Sequence, residues 1–299
     1  MYLFGFLRLN LAPISETVRV AGITAESNKS FSERLAVAVP DPMNVDPTKF
    51  RPVVESHNDA YFNETVREAK AGARVIVWDE MAGISLPELG IDEATLIARA
   101  QDVARQNAIY LAIPIGVVYL DGTPHDNKLL LIDPTGAVVM EHFKYGGAIT
   151  ENIRPGDGIL QSVQTPFGVL SGVVCYDMDY PAIIQQAGQN GTGLMLVPSR
   201  DWIEIDPLHS HMAAFRAIEN GMSVVRQTDL GLSLAVDAYG RVLAQTDFFS
   251  STDRTMVAQV PVKHVATIYT AFGRWFEWVC LFGFLVVVAW SLFARRLTN

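Results

Sequence analysis

Cys175 is the residue whose type and position best suit nucleophilic chemistry. It lies in G-V-V-C-Y-D, where an apolar strand ends and a turn leads towards a helix. Such a turn projects a side chain from the C-terminal edge of a sheet, where a nearby base or cation can lower the pKa of a thiol. The backbone N–H of Tyr176 could then bind an oxyanion. The alternative is that Cys175 is simply a small buried hydrophobic residue. Residue type alone favours this alternative.

Glu80 lies in V-I-V-W-D-E-M-A-G, directly after a strand that is too apolar for the protein surface. Its carboxylate should therefore emerge at a sheet edge, as the thiol of Cys175 does. A glutamate in that position could take the thiol proton and later protonate a leaving amine, if burial raises its pKa. The alternative is a solvated loop acid, because the neighbouring Asp79 and Glu88 show that acids are common in this segment.

Lys144 ends the second strand of a predicted hairpin, and Glu151 follows it by seven residues. An ammonium group beside a thiolate and a developing oxyanion stabilises both charges. The carboxylate of Glu151 could orient Lys144 or a substrate amine. The alternatives are an ordinary surface lysine and a solvated loop acid.

Other catalytic patterns are weaker in this sequence. His209 and His211 form H-S-H, but no H-E-x-x-H, no cysteine pair and no evident third ligand accompanies them, so we expect a structural or supporting role and no metal. The sequence contains no G-x-S-x-G, no G-x-x-x-x-G-K-[ST] and no G-x-G-x-x-G. These absences argue against a serine hydrolase, a P-loop enzyme and a dinucleotide-binding domain.

The composition fits a folded domain with an acidic surface. The chain has 299 residues, of which 49% are hydrophobic, and 32 acidic residues outnumber 23 basic ones to give a net charge of -9. Nucleic acid is therefore an unfavourable partner. Cys175 and Cys280 lie in such different surroundings that we predict no disulfide between them, and the redox compartment stays open.

The elements that must position these residues alternate along the chain in the manner of an α/β domain. The turn sequences D-P-T-G and D-A-Y-G are each flanked by two strand-like segments. This pattern predicts two β-hairpins, so antiparallel strands are also expected. We predict a mixed sheet layered with helices, in one domain over residues 15–274. The predicted strands are 18–23, 75–78, 110–118, 128–132, 137–142, 169–174, 194–198, 223–227, 231–236 and 241–244, and the predicted helices are 58–71, one beginning after Asp92, 179–188 and 208–220.

The C-terminus predicts a single membrane helix. Residues 278–294 form an uncharged apolar run, and residues 275–277 extend it to a length that spans a bilayer. Trp275 and Trp278 at one end and Arg295 with Arg296 at the other resemble interfacial anchors. We therefore assign residues 275–295 to the membrane and residues 296–299 to a tail. The apolar start of segment 1–14 is too short to span and could be the end of an upstream membrane helix.

Three motifs in order resemble the nitrilase, or carbon-nitrogen hydrolase, superfamily: W-x-E at Trp78 and Glu80, then Lys144, then V-C-Y-D-x-x-Y-P over residues 174–181. The resemblance implies a four-layer α-β-β-α sandwich. It also implies that Glu80, Lys144 and Cys175 are catalytic and that Glu151 is an auxiliary glutamate.

Further motifs resemble the apolipoprotein N-acyltransferase branch of that superfamily. These are S-R-D-W at Ser199 to Trp202, H-x-x-x-x-R-A-I-E-N-G, D-A-Y-G-R, and T-I-Y-T-A-F-G-R-W before the apolar run. That branch transfers an acyl chain from a phospholipid to the amine of a lipoprotein, so the resemblance implies an extracytoplasmic catalytic domain. The sequence departs from the branch in two ways: its upstream membrane helices are not matched, and the loop after Lys144 is Y-G-G-A-I-T-E.

Together, these features predict a membrane-anchored enzyme that forms a thioester at Cys175 without metal or organic cofactor. The substrate is a small amide or an acyl lipid, and the acceptor is water or a lipoprotein amine. Two segments are candidates for an apolar, lipid-binding pocket mouth: the loop from Tyr145 to Arg154, and Trp202 to Leu208 with its apolar Trp202, Ile203 and Ile205. The alternative is ordinary loop packing. The rival hypothesis is a non-catalytic binding protein that keeps the fold, and the oligomeric state is left open.

Overall fold

The computed structural model of the protein describes residues 6, 9, 16–25, 33, 37, 46–147, 151–273 and 275–297. All but two residues of the predicted N-terminal segment 1–14 lie outside these residues. The strands are β1 Thr17–Ile23, β2 Val75–Trp78, β3 Gly83–Ser85, β4 Tyr110–Val117, β5 Asp126–Ile132, β6 Val138–Phe143, β7 Ser162–Thr165, β8 Gly168–Gly172, β9 Leu194–Arg200, β10 Ser223–Asp229, β11 Leu232–Val236, β12 Val242–Asp247 and β13 Met256–Pro261.

The α-helices within residues 46–147, 151–273 and 275–297 are α1 Pro47–Lys70, α2 Glu93–Asn107, α3 Pro181–Gln189, α4 Leu208–Asn220, α5 Ile268–Phe272 and α6 Trp275–Leu297. Two short 3₁₀ helices occupy Pro87–Leu89 and Cys175–Asp179. We call Cys175–Asp179 the cysteine turn.

The strands form two mixed sheets. The first has the order β13-β1-β2-β4-β5-β6, with β3 also paired to β4, and the second has the order β12-β11-β10-β9-β8-β7. Strands β1, β2 and β4 are parallel in the first sheet, as are β8, β9 and β10 in the second. Parallel neighbours bring several strand C-termini to one edge, which is where binding sites form in such sheets.

Side-chain alternation along the strands produces four layers. On β2, Val75 and Val77 pack into a core shared by the two sheets, whereas Ile76 and Trp78 pack with residues of α1 and α2. Strand β9 alternates in the same way between the shared core and helices α3 and α4. Because each sheet buries both faces, the predicted α-β-β-α sandwich is confirmed.

Most predicted elements are confirmed, with small shifts at their ends. Asp92 caps α2 through a hydrogen bond from the Thr95 N–H to its carboxylate at 2.9 Å. The helix predicted over residues 58–71 is corrected, since α1 begins at Pro47 and is capped by Asp46. The predicted strand 169–174 ends at Gly172, and the helix predicted from residue 179 is divided between the cysteine turn and α3.

Helix α6 contains one segment, Trp275–Phe293, that is long and apolar enough to cross a membrane by length and composition. The mean hydropathy of this segment is 2.1, and none of the segment is buried against the rest of the described chain. A helix that is apolar on all sides and uncovered by protein has the surface expected of a lipid-exposed element. Whether residues 275–295 span a bilayer stays a prediction.

Candidate active site

Glu80 is placed at the sheet edge by the two residues that precede it. Trp78 is fully buried and donates its indole N–H to the hydroxyl of Thr65 at 2.8 Å, which anchors the end of β2 on α1. Asp79 is also buried and accepts a hydrogen bond from the hydroxyl of Tyr61 at 2.6 Å. The backbone N–H of Glu80 then donates to the carbonyl of Ser199 at 3.3 Å, so this residue joins the edges of both sheets.

Asp79 differs from an ordinary solvated loop acid. Burial raises its pKa well above the usual range for aspartate, and the negative charge of Asp229 raises it further. Three consecutive residues therefore have three environments, because Trp78 packs in the core, Asp79 is enclosed between elements, and Glu80 lines a cavity.

Lys144 connects two carboxylates. Its ammonium group donates to Glu80 Oε1 at 2.8 Å and to Glu151 Oε2 at 2.7 Å, while the side-chain amide of Asn127 donates to the same Oε1 of Glu80 at 2.7 Å. Lys144 is 2% exposed. Burial opposes its charge, yet the nearby charge of Glu80 is the first of several effects that together raise the pKa of Lys144 above its usual value. Lys144 is thus held as a buried cation.

The loop that carries Glu151 is fastened beside β5 by backbone hydrogen bonds. The N–H of His125 donates to the carbonyl of Asn152 at 2.9 Å, and the N–H of Arg154 donates to the carbonyl of His125 at 2.8 Å. A Cβ atom added to Gly147 would collide with the carboxylate of Glu151. Glycine at position 147 therefore permits the close approach of this loop to the carboxylate.

Cys175 has a left-handed backbone conformation, with φ of 46°. A non-glycine residue pays about 1–2 kcal/mol for that conformation, so the surrounding contacts must hold it. The carboxylate of Asp177 supplies several of them: it accepts from the Val174 N–H at 3.1 Å and from the Tyr145 N–H at 2.9 Å, and it meets His142 Nε2 at 2.8 Å. Asp177 therefore ties the cysteine turn to the residue that follows Lys144.

The thiol of Cys175 is buried and donates to the carbonyl of Arg200 at 3.5 Å. Burial raises the pKa of Cys175 well above its ordinary value, and the carboxylate of Glu80 adds to the rise. The positive charges of Arg226 and Lys144 act in the opposite direction. The resting group is consequently a thiol beside a base and two cations, which requires proton transfer before the sulfur can attack.

A cavity of about 320 Å³ opens beside these groups. Its lining includes the polar side chains of Glu80, Asn127, Glu151 and Arg200 together with Trp202. The side chain of Trp202 is 44% exposed and adds an apolar ring to this lining. Such a mixture suits a substrate with a polar reacting centre and an apolar portion.

Tyr176 follows Cys175 in the cysteine turn and is half-buried. Its ring packs edge-on against the rings of Tyr180 and His209, with centroids 6.3 Å and 5.7 Å away. The side chain thus contributes to the packing of the turn, and the proposed oxyanion contact from its backbone N–H stays a prediction.

A second buried polar cluster lies on the other side of the thiol. Ligand-type atoms of Cys175, Asp201 and His209 lie within 4.8 Å of one another. The guanidinium of Arg226 donates to both carboxylate oxygens of Asp201 at 2.8 Å. Arg226 Nη2 also lies 2.9 Å from His209 Nδ1. A divalent cation would have to displace this guanidinium, so the cluster suits a network of protein charges better than a metal.

Burial alone would raise the pKa of Asp201. The hydrogen bond with His209 and the charge of Arg226 outweigh that effect and lower the pKa to about 2. Asp201 is therefore a carboxylate under ordinary conditions, and the buried guanidinium of Arg226 has a permanent counter-charge.

The sequence-based site omitted four residues that hold these groups in place: Asn127, Asp177, Asp201 and Arg226. Asp177 belongs to the quoted V-C-Y-D motif, and Arg226 interrupts the apolar strand S-V-V-R-Q-T, so both carried a signal. Asn127 gave none. The two cysteines are free, as predicted, with Cys175 buried and Cys280 exposed.

Comparisons with known proteins agree with this architecture. The chain is 30% identical over 150 residues to apolipoprotein N-acyltransferase of Haemophilus influenzae, covering 49% of this chain and 28% of that protein. It is 23% identical over 275 residues to the enzyme of the same name from Geobacter metallireducens, covering 82% of this chain and 52% of that one. The chain therefore spans only part of each of these relatives.

An amidase from Nesterenkonia sp. has the same fold, with a TM-score of 0.61 and 19% sequence identity over 84% of this chain and 93% of that one. Residues 43–269 match the carbon-nitrogen hydrolase family, and this stretch contains every residue of the candidate site described above. The chain therefore belongs to the carbon-nitrogen hydrolase family.

Proposed function

We propose that the protein is a membrane-anchored enzyme of this family that transfers acyl groups through a thioester on Cys175. Glu80 acts as the proton carrier, and Lys144 stabilises negative charge. The observation that carries the proposal is the buried Lys144, which bridges Glu80 and Glu151 at 2.8 and 2.7 Å beside the thiol. A buried lysine between two carboxylates is costly to maintain for packing alone, because each charge must be desolvated.

Acylation begins when the thiol proton of Cys175 passes to Glu80. The transfer neutralises the carboxylate that raises the pKa of Cys175, while the cations Lys144 and Arg226 remain to stabilise the thiolate. The sulfur then bonds to the acyl carbon, and the carbonyl electrons move to oxygen, where Lys144 and the backbone N–H of Tyr176 stabilise the oxyanion. Collapse breaks the bond to the leaving group, which takes the proton from Glu80 and leaves a thioester.

Deacylation repeats the sequence with an acceptor. The acceptor donates its proton to Glu80 as its oxygen or nitrogen attacks the thioester carbon. The bond to sulfur then breaks, and the proton returns from Glu80 to Cys175. Glu151 holds Lys144 in place throughout and lies where it can orient an acceptor amine. Water as acceptor gives a hydrolase, whereas an amine gives an N-acyltransferase.

An acyl lipid is the donor that we favour. Trp202 lines the cavity and is 44% exposed, the adjoining Ile203 is 64% exposed, and Leu208 follows at 60%. An exposed apolar ring at a cavity, followed in sequence by further exposed apolar side chains, supports a surface that binds apolar ligands. Helix α6 would then anchor the domain beside its lipid, with Arg295 and Arg296 on the cytoplasmic side and the catalytic domain outside.

Hydrolysis of a small amide is the second candidate. Structural relatives support it, since one structure of the Nesterenkonia amidase contains butyramide and another shows covalent addition at its active-site cysteine. Those structures share about 19% identity with this chain, so they supply the fold and the precedent and leave the substrate of this chain to experiment.

Purified full-length protein in detergent micelles tests both candidates. Product formation is measured with a phospholipid plus an amino-terminal diacylated lipopeptide, and separately with butyramide. Cys175→Ala should abolish turnover of the productive substrate, whereas Cys280→Ala, in the apolar helix, should leave it unchanged. Turnover that survives Cys175→Ala would overturn the proposal. The absence of any substrate turnover in the wild type would favour a non-catalytic binding protein.

Changing Trp202 and Ile203 together to Ser separates the two donor classes. If these residues form a lipid-binding mouth, the change should impair a long-chain donor much more than butyramide. Equal loss on both substrates, or loss on neither, would move the assignment to the small-amide hydrolase.

A further inference from the structure

The cysteine turn rests on helix α4. The guanidinium of Arg216, in the middle of that helix, donates to the carbonyl of Met178 at 3.1 Å. Two helical turns towards the N-terminus, His209 lies under the same cysteine turn, with its ring packed edge-on against Tyr176. The helix therefore contacts the turn at two points seven residues apart, which lie on the same helical face.

His209 is buried between two carboxylates. Its Nδ1 lies 2.8 Å from Asp201 Oδ1, which belongs to the segment after β9, and its Nε2 lies 3.3 Å from Asp179 Oδ2 in the cysteine turn. The second contact is an ion pair rather than an aligned hydrogen bond. His209 thus joins the turn that carries Cys175 to the end of β9.

The charges around His209 favour its protonated form. Burial lowers its pKa and the guanidinium of Arg226 acts in the same direction, yet the interactions with Asp179 and Asp201 outweigh them and raise the pKa. A positively charged imidazolium suits the carboxylate on each side, with Asp201 Oδ1 2.8 Å from Nδ1 and Asp179 Oδ2 3.3 Å from Nε2, while the guanidinium of Arg226 also lies 2.9 Å from Nδ1. Cys175 and Tyr176 are the other titratable groups of the turn that face this ring.

The opposite side of the turn is already anchored by Asp177, which contacts His142 and the backbone N–H of Tyr145. Those contacts restrain the turn against the first sheet only. On the side of the second sheet, the thiol of Cys175 contacts the carbonyl of Arg200 in β9, and α4 adds contacts through Asp179 and Met178. Cys175 is a non-glycine residue in a strained left-handed conformation, so the contacts around the turn must hold it there.

We propose that His209 is a positioning residue for Cys175: its imidazolium clamps the cysteine turn, through Asp179, to the Asp201–Arg226 pair at the end of the second sheet. This inference rests on the proposed function of Cys175 as nucleophile. It assigns to His209 a mechanical and electrostatic task and no contact with substrate. Neither His209 nor Asp179 lines the cavity, so loss of the clamp acts mainly on the position of the sulfur.

His209→Gln, Asp179→Asn and the double variant test the clamp by a double-mutant cycle on kcat. His209→Gln should lower kcat about 10²-fold, the loss expected when a reacting atom moves by about 1 Å. KM should change by less than about threefold, since neither substituted side chain lines the cavity. Asp179→Asn should cause a similar loss, and the double variant should be no worse than either single one, because both changes break the same link.

His211→Gln is the matched control, since His211 lies two residues away on α4 and is exposed. Wild-type kcat is expected for it. A loss in His211→Gln equal to that in His209→Gln, or single losses that multiply in the double variant, would overturn the clamp. If His209→Gln fails to fold, the comparison of Asp179→Asn with wild type carries the test, because the Asp179 side chain is partly exposed.

Alkylation distinguishes a failed clamp from a failed function. In a Cys280→Ala background Cys175 is the remaining cysteine, and its rate of reaction with iodoacetamide should fall at least about tenfold in His209→Gln. A reduced alkylation rate in a protein without measurable turnover would support the clamp and reject the proposed function. An unchanged alkylation rate together with unchanged kcat would reject the clamp alone.

Discussion

Removal of the Lys144 ammonium should destabilise the fold far more than removal of a lysine whose partners reach solvent. The Lys144 side chain is 2% exposed and its partner Glu80 is 5% exposed, so Lys144→Met leaves a buried carboxylate without its cation. Breaking a buried ion pair from one side costs about 3–5 kcal/mol. At 2–4 °C per kcal/mol for a domain of this size, the melting temperature should fall by roughly 6–20 °C.

The reverse change is expected to be milder. In Glu80→Gln, Lys144 keeps its 2.7 Å bond to Glu151, whose side chain is partly exposed. The double variant Glu80→Gln/Lys144→Met contains no buried charge at either position. It should therefore recover about half or more of the stability that Lys144→Met loses, which is the non-additivity expected for a contacting pair.

Thermal unfolding of the full-length protein by circular dichroism, in one detergent and at neutral pH, measures these changes. Lys128→Met is the matched control: Lys128 is also buried, but its partners Glu93 and Glu141 are partly exposed and can be hydrated when the lysine is lost. The control should lose much less stability than Lys144→Met. Equal losses in the two lysine variants, or a double variant as unstable as the sum of its parts, would refute the reasoning.

Three further predictions follow from the same contacts. Cys175→Ala should abolish turnover with little change in melting temperature. Cys175→Gly should be equally inactive, yet its free energy of unfolding should be about 1 kcal/mol higher than that of the alanine variant, because glycine adopts the left-handed conformation without strain. Activity in Cys175→Ala would exclude this nucleophile. Lys144→Arg should lose nearly as much activity as Lys144→Met, because a planar guanidinium cannot replace a compact ammonium between two carboxylates; a wild-type rate would reduce Lys144 to a general charge. The pKa of Asp201 is lowered from 3.8 to about 2, so its carboxylate should stabilise the fold above pH 4 and lose that contribution as pH falls towards 2. In an acid titration, Asp201→Asn should therefore lose stability less steeply than the wild type. A slope equal to that of the wild type would contradict the assigned pKa.

The sequence predicted the sheets well because their strands are apolar runs that end at recognisable turns. Glu80 and Cys175 were located at strand ends by the same reasoning, and the structure places both at the edge where the two sheets meet. The first eleven residues of α1 were missed because their apolar side chains, Phe50, Val53 and Val54, pack on a small separate core, which leaves little periodic signal.

The supporting residues of the site could not be predicted from local pattern. Asn127 contacts Glu80 across 47 positions of sequence, and Arg226 meets Asp201 across 25. A buried arginine in an apolar strand indicates that a counter-charge must exist, yet only the packing of α4 and β10 against the end of β9 identifies it. His209 was assigned a supporting role from its sequence, and its two carboxylate partners emerge from that same packing.

The most direct test of the account is the identification of the acylated residue. The full-length protein is mixed briefly with an acyl donor that it turns over, quenched in acid, digested and analysed by peptide mass spectrometry. The account predicts that the peptide containing Cys175 gains the mass of the acyl group, that hydroxylamine removes it, and that the gain is absent in Glu80→Gln quenched at the same early time. A Cys175 peptide that stays unmodified throughout steady turnover, or an acyl group found on another residue, would contradict it.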